Sequence, residues 1–339
     1  MRHAAFAVLA ACHSSSTPPA DAPPGSLETP PDSWAWVALD GTTCANGSTA
    51  GIGVNRSGHD DGSLFVYFEG GGACWDTASC TANPPLAINL DTTYTQSKLD
   101  FDVANVPVER QPGTVFESTN FVFVPYCTAD LHAGTTVTAY PDGPTIHHTG
   151  GTNTQTFVEK LHEQFPDVTQ IWLVGSSAGG YGATLDMHRF SDAWPAAEVD
   201  LYQDSSPFIP IVANYATMQA SWALAFPPGC VGCDTNFTAA FDAVVAAHPA
   251  SRIALDTWDN DDTIAGYFGY TTPLAPVQAD LIANHFNTNH THVYEVPGTL
   301  HTMLGGLSSI VVKGVLLEVW FAQWLTSDPD WKNVGTPST

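Results

Sequence analysis

The chain has 339 residues, 44% of them apolar, with nine basic against 34 acidic side chains and a formal charge of -25. Its length allows one large α/β core or two small ones. The charge excludes a nucleic-acid surface, because such affinity depends on Lys and Arg neutralising phosphates, and no apolar run reaches the roughly 18–20 residues of a membrane span.

At the N-terminus, Arg2 precedes the short apolar stretch Ala4 to Ala11, and Leu9-Ala10-Ala11-Cys12 resembles a bacterial lipobox. Residues 1–12 therefore read as a lipoprotein-type signal peptide with Cys12 as the lipid attachment site; ordinary export is the alternative. Residues 13–33, rich in Ser, Pro and Ala, read as a tether without a core of its own. Either way the protein lies outside the cytoplasm, as a cell-envelope lipoprotein or a secreted protein, and meets a membrane only through an N-terminal lipid. Residues 34–328 are expected to fold as one unit, followed by a flexible tail over 329–339.

Within that unit, Ser63 to Phe68 is a buried-strand candidate that ends at Glu69-Gly70-Gly71-Gly72, and Phe121 to Pro125 is a second. Phe157, Val158, Leu161 and Phe165 recur at helical spacing over Thr154 to Phe165, and Pro166 stops the helix. The run Gln170-Ile171-Trp172-Leu173-Val174 then breaks into Gly175-Ser176-Ser177-Ala178-Gly179 and a helix over Tyr181 to Phe190. Further strands are expected at Glu198 to Tyr202, Arg252 to Trp258 and His292 to Val296, with helices over 236–248, 275–287 and 307–326. Strands alternating with helices in this way imply a mostly parallel sheet covered on both faces, with ligands at the C-terminal strand ends.

A strand, a G-x-S-x-G turn and a helix form the nucleophile elbow of the α/β-hydrolase fold, which marks Ser177 as a nucleophile. A serine hydroxyl needs a base, and the base needs an acid to orient it; in this fold they follow the serine in the order acid, then histidine. Of the downstream histidines, His301 alone sits in a glycine-bearing loop, Gly298-Thr299-Leu300-His301-Thr302, after the last strand. Asp259, Asp261 and Asp262 follow the Arg252 to Trp258 strand, and spacing does not choose among them. Asp204 is a rival that could instead bind backbone amides near the elbow. The oxyanion donors expected are the amides of Gly71, Gly72 and Ala178. No Lys-Ser or Lys-Thr follows the glycine run, so a phosphate loop is disfavoured.

Beyond Cys12 there are six cysteines, an even count that favours disulfides in an exported chain. Fifteen connectivities are open, and Cys74–Cys80, which closes a short loop, is the favoured single pair. Cys230-Val-Gly-Cys233 lacks the strand-to-helix setting of a redox site, and the spacings give no four-ligand zinc set. No metal and no cofactor are expected.

Four segments together resemble the pectin acetylesterase and Notum family of extracellular carboxylesterases. They are Phe68 to Trp75, Pro125 to His132 (Pro-Tyr-Cys-Thr-Ala-Asp-Leu-His), Gly175 to Gly182, and Gly298 to Thr302. The resemblance implies acyl-enzyme chemistry on O-acyl esters, with Ser177 attacking, His301 shuttling the proton and Asp261 as the acid whose spacing fits best. It gives Asp130 and His132 a supporting role near the oxyanion loop. Where the family often has an aromatic residue after the second loop glycine, this chain has Gly72. Trp75, Tyr126, Tyr181, Phe208 and Trp258 neighbour the catalytic loops, where they either line the substrate pocket or pack the core. The expected partner is an acylated glycan or a small ester, acetylated pectin being one possibility, and the expected state is a monomer. The competing reading is a catalytically silent cell-surface glycan-binding protein on an esterase scaffold.

Overall fold

The computed structural model describes residues 25–335, so Cys12 and residues 1–24 lie outside the described residues. The chain opens with β1 (Ala35–Thr43), β2 (Thr49–Asn55) and β3 (Ser63–Phe68), then α1 (Thr77–Cys80), α2 (Gln96–Asp102) and β4 (Asn120–Val124). The hairpin β5 (Thr136–Ala139) and β6 (Thr145–His148) leads to α3 (Gly150–Gln164), β7 (Gln170–Ser176), α4 (Ala178–Ala193) and β8 (Glu198–Asp204). Next come α5 (Tyr215–Trp222), α6 (Thr238–Ala247), β9 (Ile253–Trp258), α7 (Asp262–Phe268), α8 (Ala275–His285) and β10 (Thr291–Val296). The hairpin β11 (Val311–Val312) and β12 (Val315–Leu316) and the helix α9 (Leu317–Leu325) complete the fold.

Eight strands form one sheet in the order β1-β2-β4-β3-β7-β8-β9-β10. Pairing is parallel from β4 to β10 and antiparallel for β1 with β2 and β2 with β4. Every residue of β3 and β4 is buried, which explains their continuous apolar sequences. Strand alternation then supplies a core on each face. Leu64, Val66, Phe68, Ile171 and Leu173 enter one, while Phe65, Tyr67, Trp172 and Val174 enter the other. This is the mostly parallel, doubly covered sheet expected for an α/β-hydrolase.

Three expectations are corrected. The predicted helix over 307–326 is a helix only from Leu317. Lys313 and Gly314 take positive φ values of 49° and 81°, which closes a two-residue hairpin between the aliphatic pairs of β11 and β12. The predicted tail is docked as far as residue 335: Trp331 is buried, and Val334 pairs along Tyr294 at the edge of β10. The C-terminal part of the predicted tether is also packed, with Leu27 in the main core. In both flanking segments one apolar side chain finds a ready surface, which composition alone does not reveal.

Candidate active site

The elbow lies where β7 ends and α4 begins. Ser177 takes φ 54° and ψ -123°, a sparsely populated conformation that costs about 1–3 kcal/mol. Its surroundings impose it: the Ser177 amide donates to the Asp204 carbonyl at 2.7 Å, and the Ser177 carbonyl accepts from Ser206 Oγ at 2.7 Å. The glycines allow the close approach. A Cβ on Gly175 would lie 2.2 Å from the Gly179 carbonyl oxygen, and one on Gly179 would lie 2.0 Å from that of Phe68.

His301 reaches this serine from the loop after β10, with Nε2 2.7 Å from Ser177 Oγ. Its Nδ1 lies 2.7 Å from Asp261 Oδ2. Asp261 is fully buried and caps α7, its Oδ1 accepting from the amides of Thr263 and Ile264 at 2.9 and 3.0 Å. An ionised carboxylate only accepts. Asp261 thus fixes the proton on Nδ1 and leaves Nε2 to accept from the serine hydroxyl. The neighbouring carboxylates do other things: Asp259 Oδ1 accepts from the Gly298 amide at 2.9 Å, and Asp262 is exposed. Asp204, the rival acid, holds the segment after His301 through the Met303 amide at 2.6 Å.

The glycine-rich loop after β3 lies against the elbow. A Cβ on Gly70 would sit 2.3 Å from the Ser176 carbonyl oxygen. Ile88 donates its amide to the Gly71 carbonyl at 2.9 Å, and Ala73 donates to Leu86 at 3.2 Å. That bridge leaves the amides of Gly71 and Gly72 without a backbone acceptor among the described residues. The Ala178 amide heads α4, where the first four N–H groups have no intrahelical partner and the helix dipole favours negative charge. Among the described residues none of the three predicted oxyanion donors has a backbone acceptor.

Buried polar groups brace this loop from beneath. His132 Nε2 lies 2.8 Å from the Glu69 carbonyl, and burial lowers the imidazole to about 4, so the ring stays neutral and donates. Tyr126 donates its hydroxyl to the Gly72 carbonyl at 2.7 Å and its amide to Glu69 Oε2 at 2.8 Å. Asp130, pushed up to about 6 by burial, accepts from Thr128 Oγ1 at 2.6 Å and from the Gly150 amide at 2.8 Å. His132 therefore holds the loop directly, while Asp130 ties its own segment to the start of α3.

Beside Ser177 opens a small apolar pocket, walled by Leu131, Tyr181, Met218, Trp222, Ile264 and Phe268. Of the five aromatics singled out in the sequence, Tyr181 alone is on this wall. Tyr126 lies under the glycine-rich loop, Phe208 stacks on Phe237 in the core, and Trp75 packs edge-on against Tyr267. Trp258 lies against Gly298, supporting the histidine loop. Sequence reasoning missed the other wall residues, among them Met218 and Trp222 from α5, which carries no motif, and Ile264 and Phe268 from α7.

The disulfides are Cys44–Cys127, Cys74–Cys80 and Cys230–Cys233. Among the described residues the one grouping with metal-ligand potential is Cys74, Cys80 and His148. Its sulfurs are bonded to each other, and both ring nitrogens of His148 are engaged, by Tyr140 Oη and by the Thr128 carbonyl. It has no free ligand set.

The Pectinacetylesterase (PAE) family profile matches residues 36–226, more than half of the chain. The chain belongs to the pectinacetylesterase family. Pectin acetylesterase 5 of Arabidopsis thaliana is 26% identical over 185 residues, covering 53% of this chain and 43% of that protein. Human palmitoleoyl-protein carboxylesterase NOTUM is 24% identical over 173 residues, covering 49% of this chain and 34% of that protein. The chain thus spans less than half the length of the curated relatives it matches. The solved structure of the Wnt deacylase Notum from Drosophila superposes with a TM-score of 0.63 at 17% identity, over 89% of this chain and 95% of that one. That likeness is one of fold.

Proposed function

We propose that this member of the pectinacetylesterase family is an exported serine carboxylesterase acting on O-acetyl or other short O-acyl esters. The observation that carries the reading is the unbroken contact from Asp261 through His301 to Ser177, 2.7 Å at each step, ending beside amides without a backbone acceptor among the described residues. Ser177 Oγ attacks the ester carbonyl as its proton passes to His301 Nε2. The oxyanion that forms takes hydrogen bonds from the Gly71, Gly72 and Ala178 amides. As the C–O bond to the alcohol breaks, Nε2–H protonates the departing oxygen, and water repeats the cycle on the acyl-enzyme.

The narrow apolar pocket beside Ser177 suits the acyl group. The relatives' names, pectin acetylesterase and palmitoleoyl-protein carboxylesterase, span short and long acyl groups, and the pocket favours the short end. A charge of -25 repels demethylated polygalacturonate, so neutral acetylated glycans and small esters are the better substrates. Export agrees with the three disulfides and with the lipobox-like residues ending at Cys12. Among the described residues no helix is long and apolar enough to cross a membrane, and a lipid on Cys12 would attach the protein to one.

Acetate release from p-nitrophenyl acetate tests the proposal. Wild-type protein is expected to turn over and Ser177→Ala is expected to fall to the uncatalysed rate; equal rates would favour the silent binding protein.

A further inference from the structure

Beneath the triad lies a carboxyl pair that the reaction does not use directly. Asp204 and Asp256 are Cα partners across β8 and β9, and both are fully buried. Asp204 Oδ1 accepts from the Met303 amide at 2.6 Å. Its Oδ2 accepts from Ser176 Oγ at 2.6 Å and the Leu304 amide at 3.3 Å. Asp256 Oδ2 accepts from the Tyr202 hydroxyl at 2.7 Å, whereas Asp256 Oδ1 is buried with no conventional donor. Paired positions on adjacent parallel strands set the two carboxyl groups side by side in the buried core.

Two neighbouring carboxylates cannot both ionise readily in a buried site. Among the described residues no Lys, Arg or His forms an ion pair with either. The other titratable groups facing them are the hydroxyls of Tyr202 on β8, Tyr294 on β10 and Tyr67 on β3, all neutral acids. A carboxylate offers about four acceptor sites, and Asp204 already fills three of them with donors. Asp204 is therefore the anion of the pair. Asp256, with a bare Oδ1, is the acid.

We propose that Asp256 carries a proton on Oδ1 in the folded protein and donates it to Asp204, which makes Asp256 a positioning residue for the His301 loop. Burial first, then the Asp204 charge, raises the Asp256 carboxyl well above the usual carboxylate range. The route to the reacting atoms is short. Asp204 grips the amides of Met303 and Leu304, two and three residues beyond His301, and its neighbour Ser205 accepts from the Thr302 amide at 3.0 Å. The fourth hydrogen bond holds the Asp204 carboxylate in the orientation that these amides need.

The inference rests on His301 being the catalytic base, but one of its two tests does not use turnover. In the first, Asp256→Asn, whose side chain keeps a neutral donor, should retain kcat/KM within about threefold. Asp256→Ala, which removes the donor, should lose about 10–100-fold, mainly in kcat. In the second, the infrared difference between wild type and Asp256→Asn at about pH 8, roughly four units above the ordinary Asp value, should show a protonated-carboxyl carbonyl band. Absence of that band, or equal damage from the Asn and Ala variants, would overturn the proposal. If the Ala variant does not fold, the infrared band decides alone; if Ser177→Ala proves as active as wild type, the band still reports the shared proton.

Discussion

His132 Nε2 lies 2.8 Å from the carbonyl of Glu69, so a buried ring in one loop holds the first residue of the glycine-rich loop 63 positions earlier. The ring is packed edge-on against Phe68 and tilted against Tyr126, and a Cβ on Gly182 would meet its Cδ2 at 2.9 Å. His132→Ala should therefore release the loop and misplace the Gly71 and Gly72 amides. The expected loss is about 10–100-fold in kcat with little change in KM, below the about 10²–10³ for deleting an oxyanion donor outright. His132→Gln, which can still donate to Glu69, should recover most of that loss in the same assay.

The same residue sets a pH signature. Its folded value of about 4 lies below the about 6.5 of an unfolded histidine. Between those values the unfolded chain binds a proton that the native ring does not. Stability from His132 is thus complete above about 6.5 and is lost as pH falls towards 4, at up to about 1.4 kcal/mol per pH unit. Denaturant unfolding at several pH values should show wild type losing more stability on acidification than His132→Gln. Parallel profiles would contradict the assignment.

The three carboxylates after β9 make a sharp comparison. Asp261→Asn should lower kcat by about 10³–10⁴ by favouring the wrong imidazole tautomer. Asp262→Asn, an exposed position, should stay within about twofold, since surface changes of this kind rarely exceed about 0.5 kcal/mol. Steady-state kinetics on one ester substrate separates them.

Pocket size predicts acyl preference. Along a p-nitrophenyl ester series, kcat/KM should peak at acetyl to butyryl and fall steeply towards palmitoyl. Met218→Ala, which removes an unbranched side chain from the wall, should shift the optimum to longer acyl groups by about one to three kcal/mol of discrimination. An unchanged series would place the acyl group elsewhere.

Much of this site is legible in the chain because its chemistry depends on local sequence. The elbow needs small residues at Gly175 and Gly179, and the apolar run before it can only be a buried strand. Asp261 and His301 follow strands whose ends the pattern locates within a residue or two. The pocket wall is not legible in this way. Phe208 and Trp258 stand near catalytic loops in sequence yet face the core and the histidine loop, because nearness along a chain does not fix which way a side chain points. β1 and β2 escaped notice because glycines dilute their apolar pattern; a Cβ on Gly51 would lie 2.1 Å from the Val37 carbonyl oxygen. The hairpin before α9 was obscured by apolar residues that suit either period, and Gly314 was its one local signal.

The central claim is that Ser177 is the hydroxyl activated by His301. The most direct measurement is mass-spectrometric mapping of the site labelled by an alkyl fluorophosphonate in the intact protein. The account predicts one stoichiometric adduct on the peptide carrying Ser177, absent in Ser177→Ala and greatly slowed in His301→Ala. A protein that turns over esters while Ser177 stays unlabelled, or that labels equally fast without His301, would contradict it.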